Sequence, residues 1–253
     1  MPAFPTPAAP CAWTVILPVK PLVRAKTRLA AAVDGTHRAR LALAFAQDAV
    51  AAALRCAVVD EVIVVTADPR AAEALSALGA RVLAEPHQAP PPRVSADGDA
   101  PDRGPERGLN AAVAHAGETV RRERPGRPLA VLSADLPALH PEELGRALTA
   151  AARHPRAFLA DADGLGTTLL TAGPGAALGP AFGGASRARH AASGAVELAP
   201  GGVASVRRDV DTPADLRAAL RLGVGPFTAR CCADVPGAAG RRPTAGPPAS
   251  RGA

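Results

Sequence analysis

The chain has 253 residues, of which 48% are hydrophobic and 2% aromatic, and its formal net charge is +6. This length allows one large domain or two small ones, and the scarcity of aromatic residues requires an aliphatic, alanine-rich core. From Ala229 onward there are four arginines and one aspartate, so half of the positive excess lies at the end of the chain. With so few aromatic residues to stack on bases and no recognisable binding motif, the sequence disfavours a nucleic-acid partner.

The N-terminus and the cysteines indicate the cellular compartment. The first residues lack both the basic start and the unbroken apolar stretch of a signal peptide, and no apolar run approaches the length of a membrane span. The four cysteines show no metal-binding spacing, and two of them, Cys231 and Cys232, are adjacent. We therefore expect a cytoplasmic protein with reduced thiols and no membrane partner.

The first predicted element is a buried strand over 13–17, and a basic loop follows it. Pro18 and Pro21 prevent a strand or a helix from continuing, so a loop must leave the strand end. That loop carries four cations within nine residues, namely Lys20, Arg24, Lys26 and Arg28. Fixed cations at a strand end suit a polyanion such as a triphosphate, although a solvated basic turn would give the same pattern.

The next elements alternate between helix and strand. Apolar residues at three- and four-residue steps predict a helix over 36–58, and a buried strand follows over 61–66. A short helix is predicted between Asp68 and Gly79, and a strand over 81–84. Such alternation predicts an α/β domain with a mostly parallel sheet covered by helices on both faces, which binds ligands outside the carboxyl ends of its strands.

Three segments lack the periodic apolar residues of a folded element. Residues 86–108 consist largely of Pro, Gly, Asp and Arg, and we predict a disordered insertion in a surface loop there. Residues 1–12 form a predicted disordered lead-in, and residues 229–253 a disordered tail. The expected organisation is therefore a single domain over 13–228.

The second half of the domain is predicted to continue the alternation. A helix starts after Gly108 and ends near residue 122, a strand covers 128–133, and another helix opens at Pro141. Strands are predicted over 156–160, 166–171, 195–198 and 205–210. A helix capped by Ser186 is expected to end at Gly194 with His190 on its surface, and a last helix to run from a Thr212 cap to Gly223.

Carboxylates at two predicted strand ends are candidate metal ligands. Asp135 follows the strand over 128–133, and Asp209 and Asp211 follow the strand over 205–210, where a period of two puts both on one face. Hard oxygen ligands from two strand ends suit a Mg²⁺ ion that is also bound to phosphates. Asp135 could instead cap a turn, and Asp211 could support the Thr212 cap, so Asp209 is the better candidate of its pair.

A second candidate site lies where Gly183 and Gly184 lead into the helix at Ser186. Exposed backbone N–H groups and a hydroxyl at a helix N-terminus can bind an anion, although an ordinary helix start has the same pattern. Thr168 is a weaker candidate, because threonine is common in strands.

These motifs, taken in order, resemble the guanylyltransferase family of coenzyme F-420 biosynthesis, the 2-phospho-L-lactate or phosphoenolpyruvate guanylyltransferases. The resemblance covers residues 13–222 and is carried by 18–20, 25–29, 108–110, 133–137, 163–168, 182–190 and 209–216. It implies a single-domain nucleotidyltransferase, Rossmann-like and GT-A-type, built as a three-layer sandwich.

The resemblance also implies roles for individual residues. The catalytic cations on the triphosphate would be Lys20, Lys26 and Arg28. The nucleotide site would comprise Pro18, Lys20, Lys26, Gly108 and Asn110. Mg²⁺ would be held by Asp135 and Asp209, with Asp211 the less favoured ligand. The phosphorylated acid would be bound by Thr168, Gly183 and Ser186.

The implied reaction joins GMP from GTP to phosphoenolpyruvate, giving enolpyruvoyl-2-diphospho-5′-guanosine and pyrophosphate. The stretch around Ser186 and His190 resembles the branch that uses phosphoenolpyruvate, and 2-phospho-L-lactate is the alternative acceptor. The next enzyme of the coenzyme pathway would be a further partner. Other interpretations are a different nucleotidyltransferase of this fold, such as a molybdenum-cofactor guanylyltransferase, and a non-catalytic basic nucleic-acid-binding protein.

Overall fold

A seven-stranded sheet forms the centre of the structure, a computed structural model that describes residues 12–24, 26, 35–85 and 104–234. Arg28 lies outside these residues. So do the predicted lead-in up to residue 11, the predicted insertion over 86–103 and the predicted tail from residue 235 onward. In the described part of the chain, no helix has the length and apolarity needed to cross a membrane.

The elements follow the predicted alternation through most of the chain. The strands are β1 (Trp13–Pro18), β2 (Val59–Thr66), β3 (Arg81–Ala84), β4 (Leu129–Leu132), β5 (Arg156–Ala160), β6 (Thr167–Ala172) and β7 (Val196–Glu197). The helices are α1 (Gly35–Leu54), α2 (Pro69–Ser76), α3 (Gly104–Glu123), α4 (Pro141–Ala151), α5 (Ser186–Ala192), α6 (Ala204–Arg207), α7 (Pro213–Leu222) and α8 (Pro226–Ala233).

The strand order is β3-β2-β1-β4-β6-β5-β7. Strands β1 to β4 are parallel, and β6 runs antiparallel to both of its neighbours. The chain builds outward from β1 to β3 and then returns to place β4 on the other side of β1. The carboxyl ends of β1 and β4 therefore flank the point where the strand order reverses, which is where open α/β sheets bind their ligands. The predicted α/β class with a mostly parallel sheet is confirmed.

The core lies on both faces of the sheet because its central strands are buried on both sides. Val15, Leu17 and Leu132 pack with α1 and α4 in one cluster, whereas Ile16 and Val131 pack with α3 in another. The period of two along each strand thus divides its apolar residues between two layers of helices.

The predicted strand over 205–210 is wrong. Residues 204–207 form the short helix α6, and an irregular segment leads from it to the cap of α7. The buried apolar residues of this region are Val203, Val206 and Val210, which recur at steps of three and four rather than two. The prediction that Asp209 and Asp211 share one face of a strand is therefore also wrong.

Two helices extend into segments that the sequence predicted to be unstructured. Helix α3 starts at Gly104, so Gly108 and Asn110 lie inside it rather than in a loop before it. Pro105 occupies the first turn of α3, where a missing N–H costs nothing. The predicted tail begins at residue 229, but helix α8 occupies 226–233 and therefore includes its first residues. Thr228 and Cys231 of this helix are buried against α1 and its neighbours.

Asp48 explains why α8 docks on α1. Its carboxylate lies in the middle of α1, is only 4% exposed, and accepts hydrogen bonds from Phe227 N at 3.1 Å and Thr228 N at 2.8 Å. It therefore caps a helix that lies 180 residues further along the chain. Gly225 precedes α8, and a Cβ at this position would overlap the Asp48 carboxylate.

We expect Gly225→Ala to destabilise the protein by about 1–3 kcal/mol, because the added methyl group must push Asp48 away from the N–H groups that it caps. Urea unfolding would measure this change. Gly201→Ala is the matched control, since a Cβ there meets nothing within 4 Å. Equal stability of the two variants would contradict this account of how α8 docks.

Candidate active site

A cavity of about 290 Å³ opens at the carboxyl ends of β1 and β4. The chain leaves β1 at Pro18 and β4 at Leu132, and the loops that follow supply most of the polar side chains of the cavity wall, while the segment before α7 adds Asp211. The lining residues include Pro18, Lys20, Leu109, Asp135, Phe182 and Asp211, together with Lys26. The structure thus brings together side chains from the first and last parts of the domain at the predicted edge of the sheet.

Lys26 is the centre of the polar side of this cavity. Its Nζ donates to Asp135 Oδ2 at 2.5 Å and to Asp211 Oδ1 at 2.9 Å, and its side chain is only 8% exposed. Burial is the largest single effect and would lower the pKa of Lys26, but the attraction of the two carboxylates outweighs it and the pKa is raised. The ammonium group is therefore held charged in a site with little water.

The backbone at Lys26 is strained. Its φ is +55°, and it is the one non-glycine residue with a positive φ in the described part of the chain. This conformation costs an L-residue roughly 1–2 kcal/mol, and such strain is concentrated at functional sites. The geometry directs the side chain between the two carboxylates.

Asp209, unlike Asp135 and Asp211, is not among the residues that line the cavity. Burial, followed by the charges of Asp135 and Asp211, raises the pKa of Asp209 well above its ordinary range. The segment is fixed beside Asp135 because Val210 N donates to Asp135 O at 3.0 Å and the Val210 side chain is buried. Two carboxylates therefore contact one ammonium group, and Asp209 is near enough to feel their charges, so the site has a local excess of negative charge.

This excess fits a divalent cation that is shared with a phosphate ligand. Within the described residues, no three His, Cys, Asp or Glu side chains converge closely enough to form a complete metal site. Mg²⁺ commonly uses only one or two carboxylates and takes its other ligands from water and phosphates. The carboxylates of Asp135 and Asp211, which line the cavity, fit this donor set. Asp209, the ligand that the sequence favoured over Asp211, is not among the lining residues.

The residues predicted to bind the acid lie beyond β4. Thr168 is the second residue of β6 and is buried. Its carbonyl accepts a hydrogen bond from Ser133 N at 2.9 Å, and its buried hydroxyl has no hydrogen-bond partner. Gly183 follows the cavity-lining Phe182 and has a φ of +115°. Ser186 is buried, but it is the first residue of α5 and makes no capping hydrogen bond, so its predicted role as helix cap is wrong.

Asn110 does not face the cavity with a free amide. Its Nδ2 donates to Phe182 O at 3.1 Å, and its Oδ1 accepts from Phe182 N at 2.8 Å. Its neighbour in α3, Leu109, lines the cavity, whereas Gly108 is half-buried and does not. The structure therefore joins the predicted nucleotide motif to the loop before α5. No local sequence pattern predicts this contact, because the two segments are 72 residues apart.

His190 was expected on the surface of α5, but it is completely buried. Ala181 N donates to its Nε2 at 3.0 Å, so the neutral ring carries its proton on Nδ1, which lies 2.9 Å from Thr167 Oγ1. The rings of Phe158 and Phe182 pack against it. Burial, with smaller contributions from Arg156 and Arg189, lowers the pKa of His190 to about 4.

This lowered pKa predicts a pH-dependent stability. The unfolded chain takes up a proton at this histidine below about pH 6.5 while the folded chain does not, so the free energy of unfolding falls between about pH 6.5 and 4. In urea titrations, the stability difference between the wild type and His190→Gln should narrow by up to roughly 3 kcal/mol over this range. His154→Gln, at a partly exposed histidine, is the control, and a constant difference for His190→Gln would contradict the prediction.

No protein-family model matches the chain, but it is similar to known proteins over most of its length. The phosphoenolpyruvate guanylyltransferase of Thermomonospora curvata is 57% identical over 224 residues, which cover 88% of this chain and 90% of that protein. The phosphoenolpyruvate guanylyltransferase of Streptomyces avermitilis is 56% identical over 232 residues, which cover 91% of this chain and 99% of that protein.

Solved structures show the same fold at low sequence identity. A protein assigned as a nucleotide-diphospho-sugar transferase from Desulfovibrio desulfuricans G20 aligns with a TM-score of 0.54 and 16% identity, covering 83% of this chain and 96% of its own. A 4-diphosphocytidyl-2C-methyl-D-erythritol synthase aligns with a TM-score of 0.50 and 13% identity, covering 83% of this chain and 98% of its own. These similarities concern the fold alone.

Proposed function

Because the chain belongs to the phosphoenolpyruvate guanylyltransferase family, we propose that it transfers GMP from GTP to phosphoenolpyruvate. The products are enolpyruvoyl-2-diphospho-5′-guanosine and pyrophosphate, in the pathway to coenzyme F-420. The observation that carries this proposal is the buried ammonium group of Lys26 between Asp135 and Asp211, at the point where the strand order reverses. Such a cluster of fixed charges suits the transfer of a nucleotidyl group between phosphates.

The reaction needs no general base from the protein. A phosphate oxygen of the acceptor attacks the α-phosphorus of GTP, the bond to the β-phosphate oxygen breaks, and pyrophosphate leaves with that electron pair. The acceptor phosphate is largely a dianion near neutral pH, so it does not have to lose a proton before it attacks. Catalysis then consists of positioning the two substrates and stabilising the charge that develops on the leaving group.

We assign the cations of the basic loop to the triphosphate. Lys26 and the exposed Lys20 both line the cavity, so both can approach the phosphate oxygens of a nucleotide bound there. Arg28, outside the described residues, is proposed for the same role because it follows Lys26 so closely. Pro18 and Gly108 are proposed to lie beside the nucleotide.

Asp135, with Asp209 or Asp211, is proposed to hold Mg²⁺. Burial is the largest cause of the raised pKa of Asp209, and the charges of Asp135 and Asp211 add to it. That second effect supports this assignment, since a bound cation would relieve the repulsion between these carboxylates. When bound, Mg²⁺ supplies charge neutralisation at the phosphates. The carboxylates of Asp135 and Asp211 also hold Lys26 in place. They therefore orient the ammonium group of the site and are suited to bind Mg²⁺ as well.

Thr168, Gly183 and Ser186 are proposed to bind the acceptor acid. Two observations support this set. The Thr168 hydroxyl is buried without a partner, a costly arrangement unless a ligand completes it. In addition, the Gly183 N–H donates no hydrogen bond within the described part of the chain, and the positive φ of Gly183 is a backbone conformation that few residues with a side chain tolerate.

Pyrophosphate release tests the proposal directly. The protein would be incubated with GTP and Mg²⁺ and, in parallel, with phosphoenolpyruvate, 2-phospho-L-lactate or 3-phosphoglycerate, with ATP and CTP as nucleotide controls. We expect release with GTP and phosphoenolpyruvate. Release with 2-phospho-L-lactate alone would change the acceptor, and no release from a folded protein that binds GTP would overturn the proposed reaction.

We also propose that the enzyme works in the cytoplasm. The three cysteines of the described part of the chain, Cys56, Cys231 and Cys232, are all free thiols, as is usual in a reducing compartment. A contact with the next enzyme of the pathway stays a prediction, and co-purification with the enzyme that consumes the product would test it.

A further inference from the structure

Residues 181–183, which we name the acceptor loop, are held almost entirely by side chains. Ala181 N donates to His190 Nε2 at 3.0 Å, and Arg189 donates from Nε to Ala181 O at 3.0 Å and from Nη2 to Gly183 O at 2.8 Å. Both peptide groups of Phe182 are bound by Asn110. The loop belongs to no helix or strand, so these bonds replace the backbone ladder that would otherwise fix it.

Asn110 makes the two bonds that come from outside the loop's own helix. His190 and Arg189 lie on α5, which follows the acceptor loop directly, and they would move with it. Asn110 lies on α3, which packs on the central strands through Val113 and Ala116. It is therefore the side chain that ties the loop to the body of the sheet.

The amide of Asn110 is matched to this task. Its Oδ1 accepts from Phe182 N and its Nδ2 donates to Phe182 O, so a donor and an acceptor are both needed on one short side chain. An aspartate could accept from Phe182 N, but its second oxygen would face the carbonyl oxygen of Phe182 with no proton between them. The pairing also leaves only one N–H of the amide for any other partner.

We propose that Asn110 is a positioning residue for the acceptor acid and not a contact of the nucleoside. It fixes Phe182, which lines the cavity, and Phe182 in turn sets the position of Gly183, which follows it directly, and of the start of α5 at Ser186. This inference rests on the proposed function, because it assigns Gly183 and Ser186 to phosphoenolpyruvate. It reverses the role that the sequence resemblance implied for Asn110.

The test separates the two substrates kinetically. Asn110→Ala removes both hydrogen bonds, and Asn110→Asp keeps the shape and the acceptor but loses the donor. For both variants we expect the KM for phosphoenolpyruvate to rise tenfold or more, with the KM for GTP changed less than twofold. Glu118→Ala, at an exposed position of the same helix, is the control and should change neither KM.

Each outcome decides a different question. If the KM for GTP rises as much as that for phosphoenolpyruvate, or more, Asn110 contacts the nucleotide and the inference is overturned. Unchanged KM values for both substrates would also overturn it. Should Asn110→Ala fail to fold, Asn110→Asp carries the test, because it preserves the volume of the side chain. A wild-type protein that shows no activity with GTP and phosphoenolpyruvate would instead overturn the proposed function itself.

Discussion

Asp135→Asn is expected to lower the turnover number for pyrophosphate release by at least about a hundredfold. The carboxylate holds the buried Lys26 at 2.5 Å and is proposed to bind the metal ion, and an amide can do neither as well. The fold should persist, because asparagine has the same shape and the hydrogen bond from Val210 N goes to the backbone carbonyl of residue 135. The turnover number would be measured at saturating GTP and phosphoenolpyruvate, with the thermal melt of the same sample recorded.

Asp163→Asn is the matched control, since its side chain is 72% exposed and makes only a distant contact with Arg208. Its turnover number should equal that of the wild type. A purified, folded Asp135→Asn protein with wild-type turnover would remove Asp135 from the reaction. Parallel variants at Asp209 and Asp211 would show which of the two acts with Asp135, because the one that binds the cation should lose more activity and require more Mg²⁺.

The sequence predicted the sheet well because its strands are local features. Runs such as the one from Trp13 to Leu17 are apolar, β-branched and bounded by proline, so their burial and their ends can be read without any partner. Asp135 could be placed at the binding edge by the same reasoning, because it directly follows such a run. The sequence therefore predicts those site residues that lie on a strand or within a few residues after its end.

The remainder of the site depends on contacts between distant segments. Lys26 and Asp211 are 185 residues apart, and no local pattern distinguishes Asp211 from a residue that supports a helix cap. His190 was misplaced for the same reason, since a histidine in a short helix is buried only if groups such as Ala181 N and Thr167 Oγ1 satisfy its ring. Helix α8 likewise depends on Asp48 in α1.

The placement of the lysines in the sequence is a further signal that indicates the site. Of the 29 Lys and Arg residues in the chain, only Lys20 and Lys26 are lysines, and both lie in the basic loop. In a chain that otherwise uses arginine for every positive charge, a lysine marks a place where a compact ammonium group serves better than a planar guanidinium. Lys26 Nζ fits that description, because it lies between two carboxylate oxygens at 2.5 and 2.9 Å.

Lys26→Met should reduce kcat/KM for GTP by about a hundred- to a thousandfold, the usual loss when one fixed charge that stabilises a transition state is removed. Methionine has a side chain of similar length and can adopt a similar conformation, but it has no positive charge to stabilise the departing pyrophosphate. Lys26→Arg should recover part of the activity, because it restores the charge with a wider group.

Stability should respond much less than activity to Lys26→Met, and this contrast separates catalysis from structure. The side chains of the two partners, Asp135 and Asp211, are 28% and 49% exposed, so water can solvate them when the lysine is gone. Loss of the ammonium group also ends its own desolvation cost, which offsets much of the lost attraction. Arg70→Met, which removes one positive charge from an exposed position of α2, controls for net charge and should leave kcat/KM unchanged. If Lys26→Met kept its activity, or lost it only in proportion to a lower thermal midpoint, Lys26 would be a structural ion pair and the basic loop would have to act through Lys20 and Arg28.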